Sequence, residues 1–557
     1  MDRRSVVSAL QRTAFAEEVL GGPPEGFPPL DPEAVAGLAW ALRSLEGDIV
    51  TLHAEGALGR LSGMTLPALS VVDDVLGGRP APRLVALERA LPAGLLELHS
   101  LKGLGPKKVR RLWQELGIES LGELEYACRE NRLLQLKGFG DKTQQSLLQQ
   151  IEERQATSGL LRRDHALALV VPVLSKLRAS GARAELAGDL PRGLELVEQL
   201  TVVTTAPPPA PPSEPSTSDA ARRVTVVAGV APTRFGATQL RATASAGFFA
   251  RLQAAAAARG IDLSELEATE EDGVFAALGF LPSAPEQRHD HSPLIEVGRA
   301  RPPLVQRKDL RGALHNHTTA SDGADDLEAM RGVARARGLA YLGISDHSQS
   351  AVYAHGLSAP VLAEQRATIQ RMNADGSDSS ACVLLSGVES DILADGTLDY
   401  ADDVLASCDV VVASVHQRYG QKGRVYEDRV QRAAAHPAVH VIGHPTGRLL
   451  LSRAPVDYDV AVLLASCAMS GCAVELNANP ARLDLSARWL HEAKERGVLV
   501  SIAADAHAVA ELDNLEHGVA LARSAGLGPE HVLNTRTLPE LRAWLLQRTA
   551  RALSAAR

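Results

Sequence analysis

Leu314-His315-Asn-His317-Thr and, almost 200 residues later, Ala504-Asp505-Ala-His507 bound the part of this chain that decides its fold. Between them, residues that bind metals recur at the ends of short apolar runs. Ala340-Tyr-Leu-Gly-Ile-Ser closes on Asp346-His347, and Cys382-Val-Leu-Leu-Ser-Gly-Val closes on Glu389. Asp409-Val-Val-Val-Ala-Ser-Val closes on His416, Val439-His-Val-Ile-Gly on His444, and Val498-Leu-Val-Ser-Ile-Ala-Ala on Asp505 and His507. Such runs, alternating with helix-period segments, read as buried parallel strands joined by crossover helices. In a barrel of these units, side chains at the strands' C-terminal ends converge on one face. A lone barrel histidine is usually core or surface. His-x-His, Asp-His and Asp-x-His at strand ends, with His416 and His444 at two more, point instead to a metal site.

At 557 residues the chain exceeds what one core supports, since single cores rarely grow past about 250–300 residues. With 45% hydrophobic residues it can bury cores throughout. No apolar run reaches the roughly 18 residues that span a bilayer, and Met1-Asp-Arg-Arg lacks the apolar region of a secretory signal. Cys128, Cys382, Cys408, Cys467 and Cys472 show neither CxxC spacing nor a disulfide framework. A reducing cytoplasm is the expected location, with no membrane partner. A net charge of −9 argues against wholesale coating of nucleic acid but leaves room for a local basic patch.

Outward from the barrel, residues 1–90 read as a small helical module, with amphipathic spacing at Val35–Leu45 and Val71–Leu76. Residues 91–157 carry a repeat: Leu101-Lys-Gly103-Leu-Gly105-Pro-Lys107-Lys108 is echoed by Leu136-Lys-Gly138-Phe-Gly140-Asp-Lys142. Each copy sets a Gly-x-Gly turn before a helix whose first turn carries lysine. Backbone N–H groups at such a turn suit a phosphate, and the lysine adds charge. Two copies 35 positions apart predict paired helix-hairpin-helix elements that grip a DNA backbone without reading sequence. Residues 158–290 hold the low-complexity Pro207–Ser218, expected as a solvated loop, between strands at Thr201–Thr205 and Arg223–Val230, then a helix at Gly247–Arg259. A Pro-punctuated linker fills 291–312, and the barrel occupies 313–557, closed by a helix at Leu538–Leu553.

This order of parts resembles the bacterial family X DNA polymerases fused to a PHP (polymerase and histidinol phosphatase) domain. The motifs that carry the resemblance are Leu314-His-Asn-His-Thr-Thr-Ala-Ser-Asp322-Gly, Ser345-Asp-His347, Gly387-Val-Glu389, Ser414-Val-His416, Gly443-His444-Pro-Thr-Gly-Arg448, Glu475-Leu-Asn477-Ala-Asn479-Pro and Asp505-Ala-His507. The resemblance implies a multidomain chain: a helical N-terminal region with tandem helix-hairpin-helix, a degenerate α+β polymerase palm and a distorted (β/α)7 PHP barrel. It places nine metal ligands on His315, His317, Asp322, His347, Glu389, His416, His444, Asp505 and His507. Ala313 stands where the family usually has Asp. The palm departs further. In Ala187-Gly-Asp189-Leu-Pro191-Arg-Gly-Leu-Glu-Leu-Val-Glu198-Gln199-Leu200-Thr201 the family's two magnesium-binding Asp positions hold Gln199 and Thr201. A third carboxylate position falls at Gln239, and Ala242-Thr-Ala-Ser-Ala-Gly-Phe-Phe replaces the nucleotide-contacting stretch. The N-terminal module has Ser62-Gly-Met-Thr-Leu-Pro where a further Gly-x-Gly turn would stand, and that hairpin is expected to be lost. Amide and hydroxyl groups cannot hold the ions of two-metal phosphoryl transfer, so polymerisation is expected to be lost.

Six His, two Asp and one Glu exceed what one ion needs and suit about three divalent ions, Mn, Zn or Fe. Such ions acidify bound water and neutralise phosphoryl charge, which is the chemistry of phosphoester hydrolysis. His315, His317, Asp322 and Glu389 are the expected catalytic ligands. Arg448 and Arg482 can each bind phosphate bidentately or serve a structural ion pair. Asp346 orients a ligand or caps its strand. The expectation is a metal-dependent DNA phosphodiesterase, a 3′→5′ exonuclease by the family resemblance. The alternatives are a histidinol-phosphatase-type enzyme for small phosphate esters and a non-catalytic DNA-binding scaffold.

Overall fold

The computed structural model describes residues 3–45, 48–92, 94–156, 159–208, 223–374, 382–417 and 420–555. The chain divides into two compact units, Met1–Glu153 and Arg154–Arg557.

In the first unit, helices Arg3–Leu20, Pro32–Ser44 and Leu66–Leu76 bury Val6, Leu10, Leu38, Leu42, Val71 and Val72 against one another. The third starts five residues before its expected position, because Thr65 caps it and Pro67 suits its first turn. The hairpin repeat follows as Gly94–His99 with Pro106–Leu116, and Arg132–Gln135 with Asp141–Ala156. Gly103 (φ 95°) and Gly138 (φ 94°) take the left-handed conformation that closes each turn. Matching backbone bonds frame the two turns: Leu104 N to Leu101 O at 3.2 Å, and Phe139 N to Leu136 O at 3.0 Å.

The same turn occurs a third time, which corrects one expectation. Met64 N donates to Leu61 O at 3.0 Å, and Gly63 has φ 86°. The backbone of the hairpin at Ser62–Pro67 is therefore retained. What is missing is the second glycine, replaced by Thr65, and any lysine in the helix that follows.

In the second unit, helix Arg163–Ala179 covers a three-stranded sheet. Ala184–Gly188 pairs antiparallel with Leu200–Thr204, which pairs parallel with Val224–Val227. The last two are the expected strands. Ala184–Gly188 gives no strand signal because Ala-Glu-Leu-Ala-Gly offers no β-branched residue. The low-complexity segment lies outside the described residues from 209 on. Helix Ala246–Ala257 is capped by Ser245, and Leu294–Lys308 is irregular except for a 3₁₀ turn that begins at Arg307.

The barrel has seven parallel strands: β1 (Gly312–Ala313), β2 (Tyr341–Ile344), β3 (Val383–Asp391), β4 (Val410–Ser414), β5 (Val441–Ile442), β6 (Ala473–Asn477) and β7 (Val500–Ala503). They are ordered as in sequence. Beyond β1 and β7 the chain closes the ring: His317 N donates to Ala506 O at 2.8 Å, and Asp505 N to His315 O at 3.1 Å. Parallel strands enter from one end, so all their C-terminal extensions meet at the other. Helix Leu538–Ala555 packs Leu541 and Leu545 against Tyr341, Val412 and Val441. Among the described residues no helix is long and apolar enough to cross a membrane.

Candidate metal centre

Six of the seven strand ends, with the loop after His317, place all nine expected ligands together. His315 and His317 follow β1, His347 follows β2, Glu389 lies on β3, His416 follows β4, His444 follows β5, and Asp505 and His507 follow β7. Asp322 is supplied by the loop after His317. Ligand atoms of eight of the nine fall into three groups, His444 standing outside them: His317, Asp322, His347 and His507; His315, His317 and Asp505; and His347, Glu389 and His416. Within each group the atoms lie within 4.8 Å of one another. Glu389 sits at the middle, with Oε1 3.2 Å from His315 Nε2, 3.3 Å from His416 Nε2 and 3.0 Å from His444 Nε2. Its other oxygen is 3.0 Å from His347 Nδ1.

A ring of acceptors outside these ligands fixes which nitrogen faces inward. His315 Nδ1 donates to Glu475 at 2.6 Å, and His416 Nδ1 to Asp391 at 2.6 Å. His507 Nδ1 donates to the Asp505 carbonyl at 3.0 Å. In each ring Nε2 is left with its lone pair toward the centre, the tautomer a metal requires. Asn477 Nδ2 donates to Asp505 Oδ2 at 2.8 Å. Sequence reasoning passes over Asp391 and gives Glu475 and Asn477 only as a motif, without a role. Asp391 is two residues from Glu389 on one strand, and Asn477 two from Glu475, so each pair shares a face. Asp391 also accepts from Ser350 Oγ at 2.6 Å, which holds it in place.

The residues fit divalent cations. His315 Nε2, His317 Nδ1, Asp322 Oδ2, His347 Nδ1, Glu389 Oε2 and His444 Nδ1 are buried without completing a hydrogen bond. Polar atoms buried this way cost free energy that a bound cation offsets. Charge in the cluster is divided unevenly. Burial, then His507, lowers His317 to about 4, and burial, then Arg482, lowers His444 to about 3. Burial opposes charge on His347 as well, but Asp322 and Glu389 override it and raise that ring to about 10.

Of the two roles expected for Asp346, the contacts favour orienting a ligand, at one remove. Its oxygens accept from Thr318 N and Thr318 Oγ1, each at 2.7 Å, from Ser321 Oγ at 2.5 Å and from Gln365 Nε2 at 2.6 Å. It therefore shapes the loop that delivers Asp322. Arg448, expected as a phosphate ligand or as half of a structural ion pair, makes the ion pair, which corrects its catalytic assignment. Its Nη1 donates to Glu195 at 2.8 Å, Nε to Arg482 O at 3.1 Å, and Nη2 to Leu483 O. Arg482 does reach the cluster, with Nε 3.7 Å from Asp505 Oδ2.

Comparison with known proteins gives this site a lineage. Residues 95–153 match the SAM-like helix-hairpin-helix tandem family. The chain is similar to the DNA polymerase/3′-5′ exonuclease PolX of Bacillus subtilis (strain 168), 30% identical over 98% of this chain and 99% of that protein. The chain belongs to the family X DNA polymerases with a PHP domain. A probable phosphatase of Thermoanaerobacter sp. (strain X514) is 28% identical over 27% of this chain and 64% of its own. A solved histidinol phosphate phosphatase from Lactococcus lactis, bound to zinc, L-histidinol and phosphate, covers 94% of its own chain and 39% of this one at 16% identity. Its TM-score of 0.29 carries no argument.

Elsewhere this family member is uneven. Lys107 and Lys142 are exposed in the first turns of their helices, while Lys108 is half-buried with Nζ 5.4 Å from the Phe139 ring centroid. The two hairpins brace each other: Arg111 donates to Lys137 O, and Gln150 bonds the backbone of Lys102 through its Oε1 at 2.7 Å. Gly103, Gly105, Gly138 and Gly140 have open space where a Cβ would stand, which leaves their turns accessible to a backbone partner. The palm-like sheet carries no charge at the positions that the family resemblance marks for carboxylates. Thr201 pairs with Ala187 and Thr225, and Gln199 is exposed. Gln239 lies on helix Phe235–Thr243 rather than on the sheet, so its assignment as the third carboxylate position is corrected. The one carboxylate in the sheet's strands, Glu185, is paired with Arg178 at 2.9 Å.

Proposed function

We propose that this chain hydrolyses DNA phosphodiesters at the barrel mouth, removing nucleotides from the 3′ end of a strand in DNA repair, and synthesises no DNA. The observation that carries the reading is the convergence of nine imidazole and carboxylate side chains, Glu389 at their middle, with the outward nitrogens of His315, His416 and His507 tied to Glu475, Asp391 and the Asp505 carbonyl. His315, His317, Asp322, His347, Glu389, His416, His444, Asp505 and His507 hold divalent ions. The three groupings of ligand atoms support three of them, Mn, Zn or Fe. When bound, such ions acidify water and neutralise charge on the phosphoryl oxygens.

The protein's own contribution is orientation and exclusion of water. Glu475 and Asp391 hold imidazole lone pairs inward, and Asp346 holds the Asp322 loop. Arg482 supplies a fixed positive charge beside Asp505. The tandem hairpins grip the DNA backbone through the turns at Gly103–Gly105 and Gly138–Gly140, with Lys107, Lys108 and Lys142 adding charge. A reducing, cytoplasmic setting is the reading that the five free thiols support. The family relative named as polymerase/3′-5′ exonuclease favours the exonuclease. Similarity to a probable phosphatase over about a quarter of the chain keeps a small-ester phosphatase as the second reading. Metal-loaded protein on singly end-labelled DNA, beside L-histidinol phosphate, decides between them. Stepwise loss from the 3′ end is the expected result. Hydrolysis of the small ester with DNA left intact overturns it.

A further inference from the structure

The palm-like sheet has lost the carboxylates that catalysis would need, yet the loop beside it presents one carboxylate to the barrel with unusual care. Glu195 sits on the loop that follows strand Ala184–Gly188. Arg163 Nη1 fixes this loop by donating to Leu190 O at 3.1 Å and Leu194 O at 3.2 Å. Asp189 Oδ2 closes its base, accepting from Glu198 N at 2.9 Å and Gln199 N at 2.7 Å. The loop lies hard against the barrel: a Cβ on Gly193 would stand 2.6 Å from Ala520 O, and Leu196 packs on the barrel core.

From there Glu195 uses both oxygens. Oε2 takes Arg448 Nη1 at 2.8 Å, and Oε1 accepts from Ala487 N at 3.0 Å. The latter satisfies the first turn of helix Ala487–Glu495, whose own N-cap Ser486 makes no side-chain cap bond. Arg448 passes the restraint on to the carbonyls of Arg482 and Leu483. Leu483 is held at φ 43°, a left-handed conformation that costs a leucine free energy and needs such support. The same segment is tied to β6, where Asn477 N donates to Asp484 O at 2.5 Å. It carries the Arg482 side chain to Asp505, the ligand that Asn477 also holds.

We propose that Glu195 is a positioning residue for the metal centre. The eroded polymerase core is kept because it sets, through Arg448 and the 482–484 segment, the place of Asp505. This rests on the metal-centre reading above but not on which substrate is cleaved. Groups bonded directly to metal ligands change metal affinity or activity by about 10–100-fold when removed; Glu195 acts through Arg448 and Arg482, which sets its effect at the lower end of that range.

The test compares full-length wild type, Glu195→Ala, Glu195→Gln and Arg448→Met, each stripped of metal and titrated with Mn²⁺. Calorimetry gives the affinity and electron paramagnetic resonance gives the signature of bound manganese. Thermal unfolding and the kcat and KM for the cleaved phosphodiester are measured alongside. Glu195→Ala and Arg448→Met are expected to weaken Mn²⁺ binding about 10-fold, alter the manganese spectrum and lower kcat with KM little changed. Glu195→Gln keeps an acceptor for Ala487 N and should fall between. Wild-type affinity and spectrum in Glu195→Ala, whether or not its melting temperature falls, overturn the proposal and leave Glu195 a docking strut. If no phosphodiester is cleaved but the Mn²⁺ changes appear, the positioning role stands and the nuclease reading fails.

Discussion

The barrel mouth and the palm-like sheet are two β scaffolds of one chain that differ in the charge they carry. Each has paired strands and a packed core. The mouth gathers imidazoles, carboxylates and the acceptors behind them, whereas the sheet has Gln199 and Thr201 at the positions where the family resemblance places carboxylates. Fold survives the loss of chemistry because apolar packing, here Ala187, Val202 and Val203 on the sheet, is indifferent to whether a neighbouring edge carries a carboxylate. A ligand site has no such tolerance: one missing carboxylate leaves the remaining buried imidazoles without the charge that holds an ion.

The widest gap between the two regions should appear on mutation. His315→Ala or Asp505→Ala is expected to lower hydrolysis by several orders of magnitude, since a misplaced ion removes both the nucleophile's source and the charge clamp. Full activity in a His315→Ala/His317→Ala protein sinks the site assignment. Asp391→Asn and Glu475→Gln probe the outer acceptors, and each should cost about 10–100-fold in Mn²⁺ affinity, measured by calorimetry. Unchanged affinity in both would mean that the imidazole tautomers are set some other way.

Proton competition sharpens the same contrast. Against the opposition of burial, Asp322 and Glu389 hold the metal-free His347 ring near 10, and a metal takes only the neutral ring. Mn²⁺ affinity should therefore climb as pH rises above 6.5, by up to about tenfold per unit for each proton released, and level off past about 10. Without metal, this raised value stabilises the fold fully below the unfolded value of 6.5, and the contribution is lost as pH rises through about 10. Affinity that is flat from pH 6.5 to 9 would show that the ring is already neutral.

Much of this contrast is legible in the amino-acid sequence. Most of the expected ligands announce themselves because they close apolar runs, and a parallel barrel has only one place to send strand ends; Asp322, on a polar loop, is legible only through the family resemblance. Gln199 and Thr201 are read as losses on another ground, the family resemblance of the stretch from Ala187 to Thr201. Arg448 misleads because the sequence shows it four residues after His444 and hides Glu195, 253 positions away, which takes its guanidinium. Gln239 is misplaced because its stretch is helical, and only strand pairing shows that Val224–Val227 lies beside Thr201. The third hairpin turn is hidden since Thr65 fills a place where the motif has glycine, although its cap geometry tolerates either.

The smallest expected effect lies farthest from the chemistry. Changing Lys107, Lys108 and Lys142 together to alanine should weaken DNA binding and flatten its salt dependence, losing a slope of about 0.9 in log K against log salt for each phosphate contact. Turnover of a small chromogenic phosphodiester, which needs only the barrel, should not move. Wild-type DNA affinity and slope in the triple variant would make the repeat a packing device and lift the small-ester phosphatase to first place.

One experiment sets the two regions against each other in a single tube. Full-length protein is given a 5′-labelled primer on a longer template, Mn²⁺ or Mg²⁺ and all four deoxynucleoside triphosphates, and primer length is followed on a denaturing gel. The intact mouth and the uncharged sheet together predict shortening only, abolished by Asp505→Ala and untouched by Gln199→Ala. Primer extension, in either metal, would contradict the claim that the chemistry of this chain has withdrawn to the barrel.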